Sequence, residues 1–131
     1  MHIAEEQSER HVLSITVTNE AGTLARIAGM FTARGYNIES LTVADISADH
    51  QVSRITIVTN GTPRVIDQII AQLDRLVPVH KIVDLTESGP FVERELALVK
   101  VAGTGEHRIE ALRLADIFRA KVVDTTTESF I

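Results

Sequence analysis

An α+β plait, two helices laid on one face of a four-stranded antiparallel sheet, is predicted by three features of this sequence. Apolar and polar residues alternate in two segments, around Leu13–Val17 and Ser53–Val58. Two other segments carry their apolar residues at helical spacing. Strands and helices follow one another as βαββαβ over residues 11–88, the split βαβ or ferredoxin-like order.

The first strand runs from His11 to Thr18, with Leu13, Ile15 and Val17 on one face and Ser14, Thr16 and Thr18 on the other. A turn at Asn19–Gly22 leads to a helix whose Leu24, Ile27, Ala28 and Phe31 fall at i, i+3, i+4 and i+7. Gly35, just past Arg34, is a helix stop because glycine enters the left-handed conformation without a Cβ clash. Tyr36 to Ser47 reads as the second strand, Ala48–Gln51 as a polar turn and Val52 to Thr59 as the third strand. Thr62 is placed to cap a second helix, with Pro63 at its first position and Val65, Ile66, Ile69, Ile70 and Leu73 on one side. Val79 to Leu85 closes the plait as the fourth strand.

Ser88-Gly89-Pro90 reads as a hinge, after which the pattern restarts. A strand is expected from Glu95 to Ala102, then the turn Gly103-Thr104-Gly105. A helix carrying Ile109, Leu112, Ala115 and Phe118 follows, and a strand from Lys121 to Thr127. The spacing Ala115-x-x-Phe118 repeats Ala28-x-x-Phe31. Expected divisions are a flexible tail at 1–10, a first domain at 11–88 and the start of a second plait at 89–131. This βαβ is half a plait, so its helix and strands lack partners. Either the chain is cut within the second domain, the favoured expectation, or another chain completes it.

Composition narrows the function. The 131 residues carry a net charge of −5, which argues against a nucleic-acid or anionic-membrane surface. There is no cysteine, hence no disulfide, thiolate metal site or cysteine nucleophile. The polar, acidic start is unlike a secretory signal and no apolar run is long enough for a membrane span, so the cytoplasm is the expected location. His2, His11, His50, His80 and His107 lack a metal-ligand spacing, and no metal site is expected. No nucleophile is paired with a base and no carboxylates pair for acid–base work. An RNA-binding plait needs aromatics on its open sheet face and a basic surface; aromatics are 4% of the chain, and Val52–Thr59 has none.

Two segments remain. Asn19-Glu20-Ala21-Gly22-Thr23-Leu24 stands where a strand hands over to a helix N-terminus, whose unpaired N–H groups and positive dipole end suit a carboxylate. Gly22 lets a ligand approach the backbone, and Asn19 can donate to a carboxylate or accept from an ammonium. Glu20 could also face an ammonium, although an acid here also serves the helix dipole. The plainer alternative is a tight turn with no ligand. Gly35-Tyr36-Asn37-Ile38-Glu39-Ser40-Leu41 stands past the helix C-terminus, where Asn37 is a poor strand former beside apolar Ile38. About 18 Å of helix separates the two segments. They cannot share a small ligand within one chain, and a two-cluster site therefore implies a symmetric dimer.

The run Asn19-Glu20-Ala21-Gly22-Thr23-Leu24-Ala25-Arg26, with Phe31 and Arg34-Gly35-Tyr36-Asn37-Ile38-Glu39-Ser40-Leu41-Thr42-Val43-Ala44, resembles the small regulatory subunits of acetolactate (acetohydroxyacid) synthase. Ser53–Val58, Val92–Val101 and Ile117–Asp124 extend the resemblance over about residues 11–131. It implies an ACT domain followed by a second ferredoxin-like domain, with dimerisation through the ACT domain and valine bound at that interface. By motif match, Asn19, Gly22 and Leu24 of one chain and Asn37 and Ile38 of the other contact valine.

The resemblance further implies a non-catalytic regulator of branched-chain amino-acid (valine, leucine and isoleucine) synthesis. It carries no cofactor of its own, and it activates and feedback-inhibits a separate catalytic large subunit that uses thiamine diphosphate, Mg²⁺ and FAD. The second domain departs from the family pattern by ending halfway, which leaves activation less supported than the ligand site. The alternative is an ACT-type amino-acid sensor serving a different enzyme.

Overall fold

The computed structural model describes residues 7–131. The first unit contains β1 (Glu9–Thr18), α1 (Thr23–Ala33), β2 (Asn37–Asp45), β3 (Val52–Gly61), α2 (Pro63–Asp74) and β4 (Val79–Asp84). The strands form one sheet in the order β2-β3-β1-β4, every neighbouring pair antiparallel. This is the predicted ferredoxin-like plait. The flexible tail expected at 1–10 lies mostly outside the described residues, but Glu9 and Arg10 belong to β1, paired with Gly61 and Asn60.

The alternation read in β1 and β3 is what builds the core. Leu13, Ile15 and Val17 of β1 and Ile55 and Ile57 of β3 are buried under Ile27 and Phe31 of α1 and Ile66, Ile69 and Leu73 of α2. Burying a side chain of this size contributes about 1.5–3 kcal/mol, and the core is built from aliphatic residues and Phe31 without tryptophan. Leu24 is 43% exposed, and the buried positions of α1 are Thr23, Ile27 and Phe31. The helix is rotated so that Leu24 flanks the core instead of entering it.

The end of α1 follows from Gly35, whose φ of +69° is left-handed. Gly35 N–H donates to the Thr32 carbonyl and Tyr36 N–H to the Phe31 carbonyl, at 3.2 and 2.9 Å. These are the two bonds of a Schellman motif. Its accompanying apolar contact is the edge-to-face pair Phe31–Tyr36, with ring centroids 6.1 Å apart. At the start of α2, Thr62 accepts from Val65 N–H and Pro63 takes the first position, as predicted.

A second compact unit begins at Glu93, four residues beyond the start expected from the sequence. It contains β5 (Val101–Ala102), α3 (Gly105–Ile117) and β6 (Ser129–Phe130). The long strands expected at Glu95–Ala102 and Lys121–Thr127 are not formed. Only Val101 and Ala102 pair, with Phe130 and Ser129, and the segment from Val123 folds back on itself as a hairpin, with Thr125 bridged to Phe130. The reason is the absence of pairing partners: Leu96, Leu98 and Val99 have the composition of a strand but lie 64–92% exposed. The repeat of Phe31 in Phe118 also fails as packing, since Phe118 is 79% exposed and α3 has no buried residue. Among the described residues no helix is long and apolar enough to cross a membrane.

Candidate functional site

At the end of the sheet where β1 delivers the chain to α1, Gly22 is the residue before the helix, with φ +85° and open space where a Cβ would stand. No side chain caps α1. Thr23 donates its hydroxyl back to the Thr18 carbonyl at 3.3 Å, and its N–H goes to the Glu20 carbonyl. Arg26 N–H returns to Gly22. Among the described residues the N–H groups of Leu24 and Ala25 donate to no acceptor. The contrast with capped α2 is physical: one helix start is closed by its own threonine, whereas the other presents free donors at the positive end of its dipole.

Beside those donors lies a largely apolar cavity of about 530 Å³, bounded by Asn19, Gly22, Leu24, Ala28, Val43 and Ile55. The rotation of α1 that keeps Leu24 out of the core puts it here, and Val43 arrives from β2 by pairing with Ile55. Three of the five residues expected from the sequence, Asn19, Gly22 and Leu24, are therefore brought together. A free donor pair beside an aliphatic wall fits a small carboxylic acid with a branched side chain.

Asn37 and Ile38 are not part of this cluster. Asn37 pairs with Asn60, which in turn pairs with Arg10 at the far end of β1. Asn19 lies nine residues further along from Arg10, about 30 Å at the rise of a strand. The separation exceeds the helix-based expectation because β1 runs past the C-terminus of α1. Asn37 is exposed, while Ile38 packs against the core next to a register shift that makes Glu39 a bulge. Glu39 accepts from Asn60 Nδ2 at 3.1 Å, with Arg10 3.6 Å away. This end of edge strand β2 thus offers one amide and an apolar shoulder.

The sequence reading missed the residues that hold Asn19. Its backbone N–H donates to the Gln51 carbonyl at 2.8 Å. Its side-chain Nδ2 donates to the His50 carbonyl at 2.7 Å and, more weakly, to Asp45 Oδ1 at 3.4 Å. Asp45 also accepts from Ser53 Oγ at 3.0 Å and faces His50 Nδ1 at 2.8 Å. The hydrogen bonds from His50 and then Ser53 hold the Asp45 carboxyl below the usual carboxylate range, outweighing its slight desolvation. Nothing in spacing ties residue 19 to residues 45–51; only the β2–β3 register brings them together.

Two other features are distinct from this cluster. A groove of about 670 Å³ in the second unit is lined by Leu98, Val101, Leu114, Phe118 and Phe130 among others, and is the apolar face that α3 leaves uncovered. Near the start of α2, one nitrogen of buried His11 faces Glu9 and Glu87, the other Asp84. The ligating atoms of Glu9, His11 and Glu87 lie within 4.8 Å of one another, a grouping that histidine spacing alone did not suggest.

Residues 13–81 match the AHAS small subunit-like ACT domain, and residues 94–131 match the family described as small subunit of acetolactate synthase. The acetolactate synthase small subunit of Haemophilus influenzae is 46% identical over 121 residues, 92% of this chain and 73% of that protein. The probable small subunit of Archaeoglobus fulgidus is 46% identical over 122 residues, 93% of this chain and 75% of that protein. Isozyme 3 of Escherichia coli has a small subunit 46% identical over 117 residues, covering 89% and 71%. The crystal structure of the Thermotoga maritima small subunit superposes with a TM-score of 0.74 at 28% identity, covering 93% of this chain and 75% of that one. The chain belongs to the acetolactate synthase small-subunit family.

Proposed function

We propose that this chain is the non-catalytic regulatory subunit of an acetolactate synthase and that it senses valine at a dimer interface. The observation that carries the reading is the uncapped start of α1. There the free N–H groups of Leu24 and Ala25 face solvent beside an aliphatic cavity that matches a branched side chain. Asn19, Gly22 and Leu24 form one half-site, and the partner subunit's Asn37 and Ile38 form the other. The distance of about 30 Å within a chain supports the two-chain arrangement. Exposed edge strand β2 has free backbone groups for pairing with its counterpart.

The regulatory step is a coupling between effector and catalytic sites, typically 1–3 kcal/mol. Valine bridging the two first units favours one pose of the dimer on a catalytic large subunit, and end-product feedback follows. The chain itself holds no cofactor in this reading; thiamine diphosphate, Mg²⁺ and FAD belong to the large subunit, and the complex works in the cytoplasm. Because one methylene in an apolar pocket discriminates by only about 1–3 kcal/mol, leucine and isoleucine are expected as weaker effectors.

The test is reconstitution with the large subunit of the same organism. The expected result is no acetolactate formation by this chain alone, stimulation of the large subunit on mixing, and suppression of the mixture by valine. Turnover by the chain alone, or a mixture indifferent to valine, contradicts the proposal.

A further inference from the structure

We propose that Asp45 is a positioning residue of the effector site, fixing Asn19 so that its amide oxygen receives the ligand's ammonium group. The inference rests on the effector reading above and deepens it. A free asparagine amide can serve either end of an amino acid, donating to the carboxylate or accepting from the ammonium. Here the choice is made by the β2–β3 connection. The His50 carbonyl, at 2.7 Å, and Asp45 Oδ1, at 3.4 Å, both stand on the Nδ2 side of Asn19. Since both are acceptors, only the amide nitrogen can face them, and the amide hydrogens are engaged away from the ligand. Oδ1 accepts no hydrogen bond among the described residues, and Asn19 borders the cavity.

The same arrangement separates the two ends of the site. Donors stand at the helix start, where Leu24 and Ala25 N–H are free. Acceptors stand on the Asn19 side, backed by a carboxylate that stays ionised because His50 and Ser53 bond to it. An amino acid with its carboxylate on α1 and its ammonium toward Asn19 meets complementary charge at both ends. His50 serves this arrangement through its backbone. Its φ of +57° is uncommon for a side-chain-bearing residue, and its ring is held at 2.8 Å by Asp45, the carboxylate that Asn19 also contacts. Asp45 therefore pins both the amide and the turn whose carbonyl orients it.

The test compares L-valine with 3-methylbutanoate, which is valine without its amino group, on the wild-type chain, Asp45→Ala and Asn19→Ala. Binding is followed by calorimetry for valine and ligand-observed NMR for the analogue. Both variants are expected to weaken valine about tenfold, one charge-assisted hydrogen bond, and to leave 3-methylbutanoate within about twofold of wild type. A merely structural role for Asp45 weakens both compounds alike. That result, or unchanged valine affinity in Asp45→Ala, overturns the positioning role and leaves the effector site standing. A wild-type chain that binds neither compound overturns the effector reading and this inference with it.

Discussion

His11 Nδ1 and Asp84 Oδ2 lie 2.8 Å apart, joining the first strand of the plait to the last through a histidine that is 3% exposed. The other ring nitrogen meets Glu9 at 3.1 Å. Both bonds are donated at once only by the protonated ring. Burial disfavours that charge, but the hydrogen bonds to Glu9 and Asp84 outweigh it and raise the His11 pKa above its ordinary 6.5. A raised folded-state pKa stabilises the fold fully below pH 6.5, and the contribution fades as pH rises through the higher folded value. Urea midpoints are accordingly expected to fall between pH 6 and pH 8.5 in the wild type, and to fall less in His11→Gln. Identical pH profiles for the two proteins contradict the assignment.

Gly61 is required for space, whereas Gly22 is required for conformation. A Cβ on Gly61 would stand 2.8 Å from Val65 Cγ1 and 3.1 Å from Val65 Cβ, in the first turn of α2. Gly61→Ala is expected to destabilise the plait by about 1–3 kcal/mol. Trimming the obstruction in a Gly61→Ala/Val65→Ala double variant should cost less than the sum of the two single changes. Gly22→Ala meets no atom, and its cost is that of a left-handed alanine, about 1–2 kcal/mol. Denaturant titration of the wild type and the four variants checks both claims, and additivity at Gly61 and Val65 contradicts the first.

The proposed division of the effector site into half-sites on different chains predicts complementation. Asn19→Ala and Asn37→Ala homodimers should each bind valine poorly. A mixed dimer, however, has one site carrying both lesions and one carrying neither. Equilibrating the two variants together is expected to make about half of the dimers mixed and so to restore high-affinity binding at up to about a quarter of the sites, one per mixed dimer, at the statistical limit of subunit exchange. Absence of recovery after demonstrated exchange contradicts the two-chain site.

The first plait was legible because each of its elements carries its own signal. Leu13, Ile15 and Val17 alternate, Thr62-Pro63 opens a helix, and Gly35 closes one, and the structure uses all of them as read. Spacing put Leu24 on one face with Ile27, Ala28 and Phe31 but does not report that face's exact centre; Leu24 stands at its edge, exposed beside the cavity. Leu96 and Leu98 misled for a different reason. Strand composition becomes a strand only when a neighbouring chain segment supplies hydrogen bonds, and among the described residues only Val101 and Ala102 find them on that side. Asp45 and His50 were invisible as site residues because their contact with Asn19 spans 26 and 31 positions. It depends on strand register, which no local pattern reports.

The central claim is that valine binds where the start of α1 in one chain meets the start of β2 in the other. Its most direct measurement is calorimetric titration of valine into the purified chain and into Asn37→Ala, a residue about 30 Å from the α1 cleft within its own subunit. The expected result is one valine per chain in the wild type and an affinity at least about tenfold lower in Asn37→Ala, the loss of one polar contact. Valine binding that is absent from the wild type, or that survives Asn37→Ala unchanged, contradicts it.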